Sequence, residues 1–263
     1  PSDALFAADF YCGGMTVNSS QTIPTLFGHR RGSLGGLVFT DADLVVGGRT
    51  LVHGLTATIS PGKLTALYSP ERDAVDGAFE ALTRGIHPAR GTALVGGVDI
   101  AQLTRAEVLR LRRERVGIVG PGYRLASSRT LAENLKLPFQ IAEMPLRDTD
   151  RAWLDRLVET FGLGDDLHRY PFELCSARHD RAAIARALAL RPGLLLLREA
   201  FTGDDAHGGA VLMALVRALV QEHAVTTVLC TTNTKAVESC DVVVELNTGA
   251  AEQPARRVSS SSR

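Results

Sequence analysis

Short aliphatic or β-branched runs recur along the middle of the chain, and between them apolar positions return at helical spacing. The runs predict strands over Leu55–Ile59, Leu64–Tyr68, Thr92–Val95, Val116–Val119, Leu194–Leu197, Thr226–Cys230 and Val242–Leu246. The intervening pattern predicts helices from about Ala74 to Ile86 and over Arg105–Arg115, Thr130–Ile141, Thr149–Phe161, Ala177–Leu190, Gly208–His223 and Thr234–Cys240. Strands alternating with helices give an α/β fold with a mostly parallel sheet. The stretch 130–190 carries helical periodicity and no strand, so a helical subdomain inserted into the α/β core is expected. Residues 1 to about 36 are rich in Gly, Ser and Thr, and are read as a weakly structured extension. The tail from about Gly249, ending Ser259-Ser260-Ser261-Ser262-Arg263, is read as disordered.

Composition narrows the class. At 263 residues, 45% hydrophobic and 22% charged, the chain can bury one α/β core with a helical subdomain. The formal net charge is +0, so bulk electrostatics favour neither nucleic acid nor an anionic membrane. The basic run Arg110-Leu111-Arg112-Arg113-Glu114-Arg115 has no aromatic interleaving and reads as a solvated helix face, with no nucleic-acid partner. Cys12, Cys175, Cys230 and Cys240 lack metal-ligand spacing and read as reduced thiols of a cytoplasmic protein. The histidines are scattered, and no metal site is expected. Glycines at 96–97 and 162–164 read as turns. No apolar run is long enough to span a bilayer, so membrane association would come through a partner.

Three stretches carry a family resemblance. The first is Gly97-Val98-Asp99-Ile100-Ala101-Gln102-Leu103, followed by Arg105–Arg115 and Val116-Gly117-Ile118-Val119. The second is Thr130-Leu131-Ala132-Glu133-Asn134-Leu135-Lys136-Leu137-Pro138, and the third is Arg181-Ala182-Ala183-Ile184-Ala185-Arg186-Ala187-Leu188 with Arg191-Pro192. From about Leu37 to Gly249 the chain resembles the nucleotide-binding domains of ABC transporters, most of all the branch that energises lipoprotein-releasing and macrolide-export permeases. The resemblance implies a P-loop NTPase-like ABC ATPase core over 37–249. That core would have a mostly parallel sheet, an antiparallel β-subdomain and an inserted helical subdomain at about 122–190, with an extension over 1–36 and a tail over 250–263.

The chemistry of that family resides in particular side chains, and here they are altered. Where the family reads Gly-x-x-Gly-x-Gly-Lys-Ser/Thr, this chain reads Ser69-Pro70-Glu71-Arg72-Asp73-Ala74-Val75-Asp76. A phosphate loop works because glycines let backbone N–H groups approach the phosphates and lysine neutralises their charge. Val75 stands at the lysine position, and three carboxylates outnumber Arg72. By the same resemblance Val46 falls near the aromatic that stacks on adenine, and Pro121 falls at the glutamine that senses the γ-phosphate. The signature Leu-Ser-Gly-Gly-Gln is replaced by Leu174-Cys175-Ser176-Ala177-Arg178, and the switch histidine by Thr232. Arg198 takes the position of the magnesium-binding aspartate. Glu199 matches the glutamate that polarises water, and Asp205 matches the aspartate that follows.

Since the loop's Ser/Thr and that aspartate meet around magnesium in the family, Asp76 and Arg198 are expected to form an ion pair. Glu199 is the rival partner, because a buried arginine needs some carboxylate. The favoured reading is a catalytically degenerate subunit, with no cofactor expected, docked on a permease as a homodimer or as a heterodimer with an intact ATPase. It would lie peripherally on the inner face of the cell membrane. Two alternatives stand beside it. One is an active ATP-hydrolysing transporter subunit using ATP and Mg2+, in which Arg72 replaces the lysine and Glu199 remains the catalytic base. The other is a protein-binding module unrelated to transport.

Overall fold

A computed structural model describes residues 34–199 and 206–248. The element order begins β1 (Leu37–Val46), β2 (Arg49–Ile59), β3 (Leu64–Tyr68), α1 (Arg72–Arg84), β4 (Arg90–Val95), β5 (Val98–Asp99), α2 (Arg105–Arg115) and β6 (Val116–Val119). It continues α3 (Leu131–Ile141), α4 (Asp148–Phe161), α5 (Ser176–Leu188), β7 (Leu194–Arg198), α6 (Ala206–Glu222), β8 (Thr226–Thr231), α7 (Thr234–Glu238) and β9 (Val242–Glu245). A four-stranded sheet has order β2-β1-β4-β5, and every pair in it is antiparallel. A five-stranded sheet has order β6-β7-β8-β3-β9, and every pair in it is parallel. Helices α3, α4 and α5 fall between β6 and β7, so the expected helical insertion is present.

The antiparallel sheet shows what periodicity alone missed. No strand was expected over 37–46, and β2 was expected to begin only at Leu55. The run Leu37-Val38-Phe39 is broken by Asp41 and Asp43, which hide it from an apolar-pattern reading. The fold accepts both acids. The pairing of β1 is irregular there, Asp41 has a positive φ of 47°, and Arg90 Nη2 lies 2.6 Å from both Asp41 carboxylate oxygens. Asp43 Oδ1 accepts the Gly54 N–H at 2.8 Å. The β1–β2 hairpin closes through Gly47-Gly48 and the β4–β5 hairpin through Gly96-Gly97, all at positive φ, as two-residue turns between twisted strands require.

The parallel strands separate two apolar clusters. Along β7, Leu195 and Leu197 face the cluster built with α3, α4, α5 and α6, whereas Leu194 and Leu196 face the one shared with α1 and the antiparallel sheet. Both faces of the central strands are covered, which is why β7 and β8 are buried at every position. Residues 34–36, within the expected extension, are tied to this body. Leu34 is buried in the second cluster, and the Gly35 carbonyl accepts from Thr226 Oγ1 at 2.6 Å.

Helix starts follow local chemistry. Thr104 with Glu107 and Thr130 with Glu133 form capping boxes that begin α2 and α3. Buried Asn134 holds the connection before α3, accepting from the Ala126 N–H and donating to the carbonyls of Ala126, Arg129 and Thr130. Among the described residues no helix is long and apolar enough to cross a membrane.

Candidate functional site

The side-chain alternation along β7 decides where Arg198 goes. It follows Leu194 and Leu196 on the face covered by α1, and it lies beside Cys230 in the β7–β8 register. Asp76 projects from the second turn of α1. The two side chains meet in a direct ion pair between Arg198 Nη2 and Asp76 Oδ1. Glu199, the rival partner, comes only within 4.0 Å of Arg198 Nη1. Arg198 is 2% exposed and Asp76 48%, so the cation is buried and its counterion reaches solvent. Among the described residues, Arg198 Nε has no hydrogen-bond partner. Arg72 Nε lies 3.9 Å from the other Asp76 oxygen, and its side chain is 77% exposed. The buried Cys230 thiol is pushed up to about 12 by desolvation; Arg198 opposes that rise while Glu199 and Asp76 add to it.

Gly120 makes room for the pair. A Cβ there would sit 2.7 Å from Phe79 Cζ and 3.1 Å from Arg198 Cβ, so the end of β6 passes too close to both for a side chain. Gly77, one residue beyond Asp76, lets α1 lie against Leu51 of β2.

The loop before α1 is short. The helix was expected from about Ala74 but begins at Arg72, so only Ser69-Pro70-Glu71 separates it from β3. Without the glycines, nothing favours an open loop over helix, and Asp73 in the first turn suits the positive end of the helix dipole. The Val75 N–H donates to the Glu71 carbonyl at 3.3 Å and is thus inside the helix. Buried Ser69 accepts the Glu71 N–H on its hydroxyl at 3.1 Å. From the other end of the chain, Thr248 Oγ1 donates to Glu71 Oε1 at 3.1 Å and the Leu246 N–H donates to the Tyr68 carbonyl at 2.7 Å.

Glu199 has a positive φ of 47°, and its backbone N–H donates to the Cys230 carbonyl at 3.3 Å. Its Oε1 accepts from the Thr232 N–H at 3.0 Å and the Thr232 hydroxyl at 3.1 Å. The carboxylate thus fastens the end of β7 to the end of β8. Asp76, Arg198, Glu199 and Thr232 form one connected group, with Ser69, Pro70, Glu71, Arg72, Asp73, Ala74 and Val75 beside it on the loop and first turn of α1.

The remaining candidates lie elsewhere. Leu174 follows a 3-10 turn, Cys175 is the exposed N-cap of α5, and Ser176 and Ala177 are exposed in its first turn. Arg178 turns inward, with Nη1 donating to Asp166 Oδ2 at 2.5 Å and to the Gly162 carbonyl at 3.1 Å. Val46 ends β1, half-buried against the second cluster. Pro121 is exposed in the turn after β6. Asp205 lies outside the described residues.

Sequence reasoning missed Arg186. From α5 it donates to the carbonyls of Arg124 at 2.7 Å and Tyr123 at 2.5 Å, gripping the connection after β6. Burial pushes its guanidinium down to about 10. Its place among small apolar residues in Ala185-Arg186-Ala187 was the available signal, since a cation there needs acceptors.

Comparison with known proteins gives a consistent picture. The family model described as ABC transporter matches residues 78–202. The methionine import ATP-binding protein MetN of Xanthomonas axonopodis pv. citri (strain 306) is 32% identical over 207 residues, 78% of this chain; the chain spans only 61% of that protein's length. The lipoprotein-releasing system ATP-binding protein LolD of Anaeromyxobacter dehalogenans (strain 2CP-C) is 30% identical over 209 residues, covering 79% of this chain and 87% of its own. Among solved structures, the dimeric bacterial ABC transporter cassette MJ0796 superposes with a TM-score of 0.71 at 19% identity, covering 84% of this chain and 98% of that one. CbiO1 of Clostridium perfringens, part of the ABC transporter complex cbiONQ, gives 0.70 at 21% identity over 83% of this chain and 86% of its own. At these identities the structural likeness speaks for the fold.

Proposed function

The chain belongs to the ATP-binding cassette family of ABC transporters, and from that premise we propose that it is a degenerate cassette subunit whose nucleotide site has been given over to internal ion pairing. The observation that carries this reading is the Arg198–Asp76 pair. The resemblance puts two magnesium ligands at those positions, and a guanidinium cannot share the space with a dication. The residues present therefore do not fit a magnesium–nucleotide. Val75 offers no charge to phosphate, its N–H is engaged within α1, and the Glu199 carboxylate is engaged by Thr232.

Each charge-assisted hydrogen bond to phosphate contributes roughly 1.5–3 kcal/mol. Loss of the lysine, a metal ligand and the glycine cradle together removes more than about 4 kcal/mol, roughly a thousandfold in affinity. Such a subunit would act structurally or as a regulator. It would hold a transport complex together through a permease, paired with a second copy or with an intact ATPase, in the setting that the names of MetN and LolD describe for those proteins.

Calorimetric titration of the purified chain with Mg-ATP into the millimolar range tests the site. The expected result is no binding heat and no thermal stabilisation. Magnesium-dependent binding would instead support an active ATP-hydrolysing subunit and make Arg72, Asp76 and Glu199 the residues to mutate. Co-purification with a permease and an intact ATPase is expected for the transport role, and failure to associate with any permease would favour a binding module outside transport.

A further inference from the structure

Away from that site, charged and aromatic groups converge where the helical insertion meets the end of α6. Trp153 on α4 is the chain's one tryptophan. It is buried, and its Nε1 donates to the Leu188 carbonyl at 3.0 Å, which satisfies its polar atom inside the insertion. His223, the residue after α6, stands against its ring at 4.8 Å between centroids and 87° between planes. Arg191 lies 5.2 Å from the indole centroid and Arg156 lies 6.0 Å from it. Arg156 also reaches across to α6, with Nη2 at 2.9 and 2.7 Å from the two oxygens of Glu222. His223 Nε2 is buried, has no hydrogen-bond partner among the described residues, and lies 3.8 Å from Glu222 Oε1.

We propose that His223 is a proton-responsive pin between the helical insertion and α6. With a neutral ring it seats edge-on against Trp153 and leaves Glu222 to Arg156; once protonated it competes for Glu222 and loosens α4 from the end of α6.

The charge arrangement makes this contact sensitive. The ionisable groups facing the ring are Glu222 from α6, Arg156 from α4 and Arg191 from the connection after α5. Two cations thus stand near the ring with one carboxylate, which Arg156 already engages, while Arg191 is itself paired with buried Asp150 of α4 at 2.9 Å. Burial holds the imidazole below its ordinary value; Glu222 pulls the other way, and Arg156 and Arg191 lower it further. The docked arrangement therefore favours the neutral ring. Between the lowered folded value and the ordinary one, the unfolded chain binds more protons than the folded chain. The contribution of the pin is complete above about pH 6.5 and is lost as pH falls through the folded value.

Because Trp153 is alone of its kind, its fluorescence reports this contact in the whole chain without a label. Emission recorded from pH 8 to 5 is expected to change in one step, with a midpoint below about 6.5. His223→Gln should abolish the step. Glu222→Gln should move the midpoint down, by removing the carboxylate that favours the charged ring, and Arg156→Gln should move it up, by freeing Glu222. Hydrogen exchange of the last amides of α6 should quicken below the midpoint in the native chain. Glu222 and Arg156 are half-exposed, so those two variants test the idea even if His223→Gln does not fold. A step that survives in His223→Gln would overturn the proposal. So would a midpoint indifferent to both neighbours, or α6 exchange that ignores the step.

Discussion

Two buried charges in this molecule are answered in opposite ways. Asp166, 1% exposed, is met by two arginines that each stay partly in solvent, Arg169 at 3.2 Å and Arg178 at 2.5 Å. Arg198, 2% exposed, is met among the described residues by Asp76 at contact distance, with Glu199 at the edge of ion-pair range. Long arginine side chains reach inward from the surface and keep their donors wet, so a buried carboxylate can have redundant partners. An aspartate on a rigid helix has no such reach, and the buried guanidinium at the end of β7 rests on one short side chain. Redundancy in the helical insertion contrasts with dependence on a single residue at the sheet end.

That contrast should separate cleanly in stability measurements. The largest effect is expected from Asp76→Ala, which strands a buried cation. Urea unfolding should show a loss of about 3 kcal/mol, at the low end of the range for broken buried pairs because Asp76 is half in solvent. Combining it with Arg198→Leu should restore most of that loss; a double variant as unstable as the single one would mean that the pair is not what Asp76 contributes. Asp166→Asn should cost less, about 2 kcal/mol, since Arg169 and Arg178 fall back to water when their partner is neutralised. If Asp166→Asn proves the more damaging, redundancy is the wrong account of the insertion. Thr232→Val should cost about 1 kcal/mol, because the backbone N–H still holds Glu199 after the hydroxyl is lost.

The pairing of Asp76 with Arg198 was legible in the sequence. The resemblance alone led to the expectation that Asp76 and Arg198 would meet, and the period of β7 sends Arg198 to the same face as Leu194 and Leu196. The parallel frame and the extents of α2 and α3 were legible for the same kind of reason: each is written in a local run of residues. What escaped is non-local or aperiodic. Strand β1 hides its acids at an irregular stretch that Arg90, Gly54 and Thr56 explain. Nothing in the sequence around Asp166 announces Arg178, which reaches it from α5. Arg186 and Thr248 act on partners far away in sequence, one of them a pair of main-chain carbonyls, and such contacts leave no repeating trace.

The strand order carries a consequence for how the molecule is made. In β6-β7-β8-β3-β9, an early strand is inserted between the two described strands latest in sequence. While the chain emerges, β3 and the loop after it have no sheet neighbours, and Glu71 lacks the Thr248 hydroxyl that meets it at the end. The antiparallel hairpins and the helical insertion can form from nearby residues, whereas the central sheet must wait for β8 and β9, as a fold rich in distant contacts does. A chain released before Val242 would therefore expose one whole edge of β3, leaving its apolar run open to pairing with other chains.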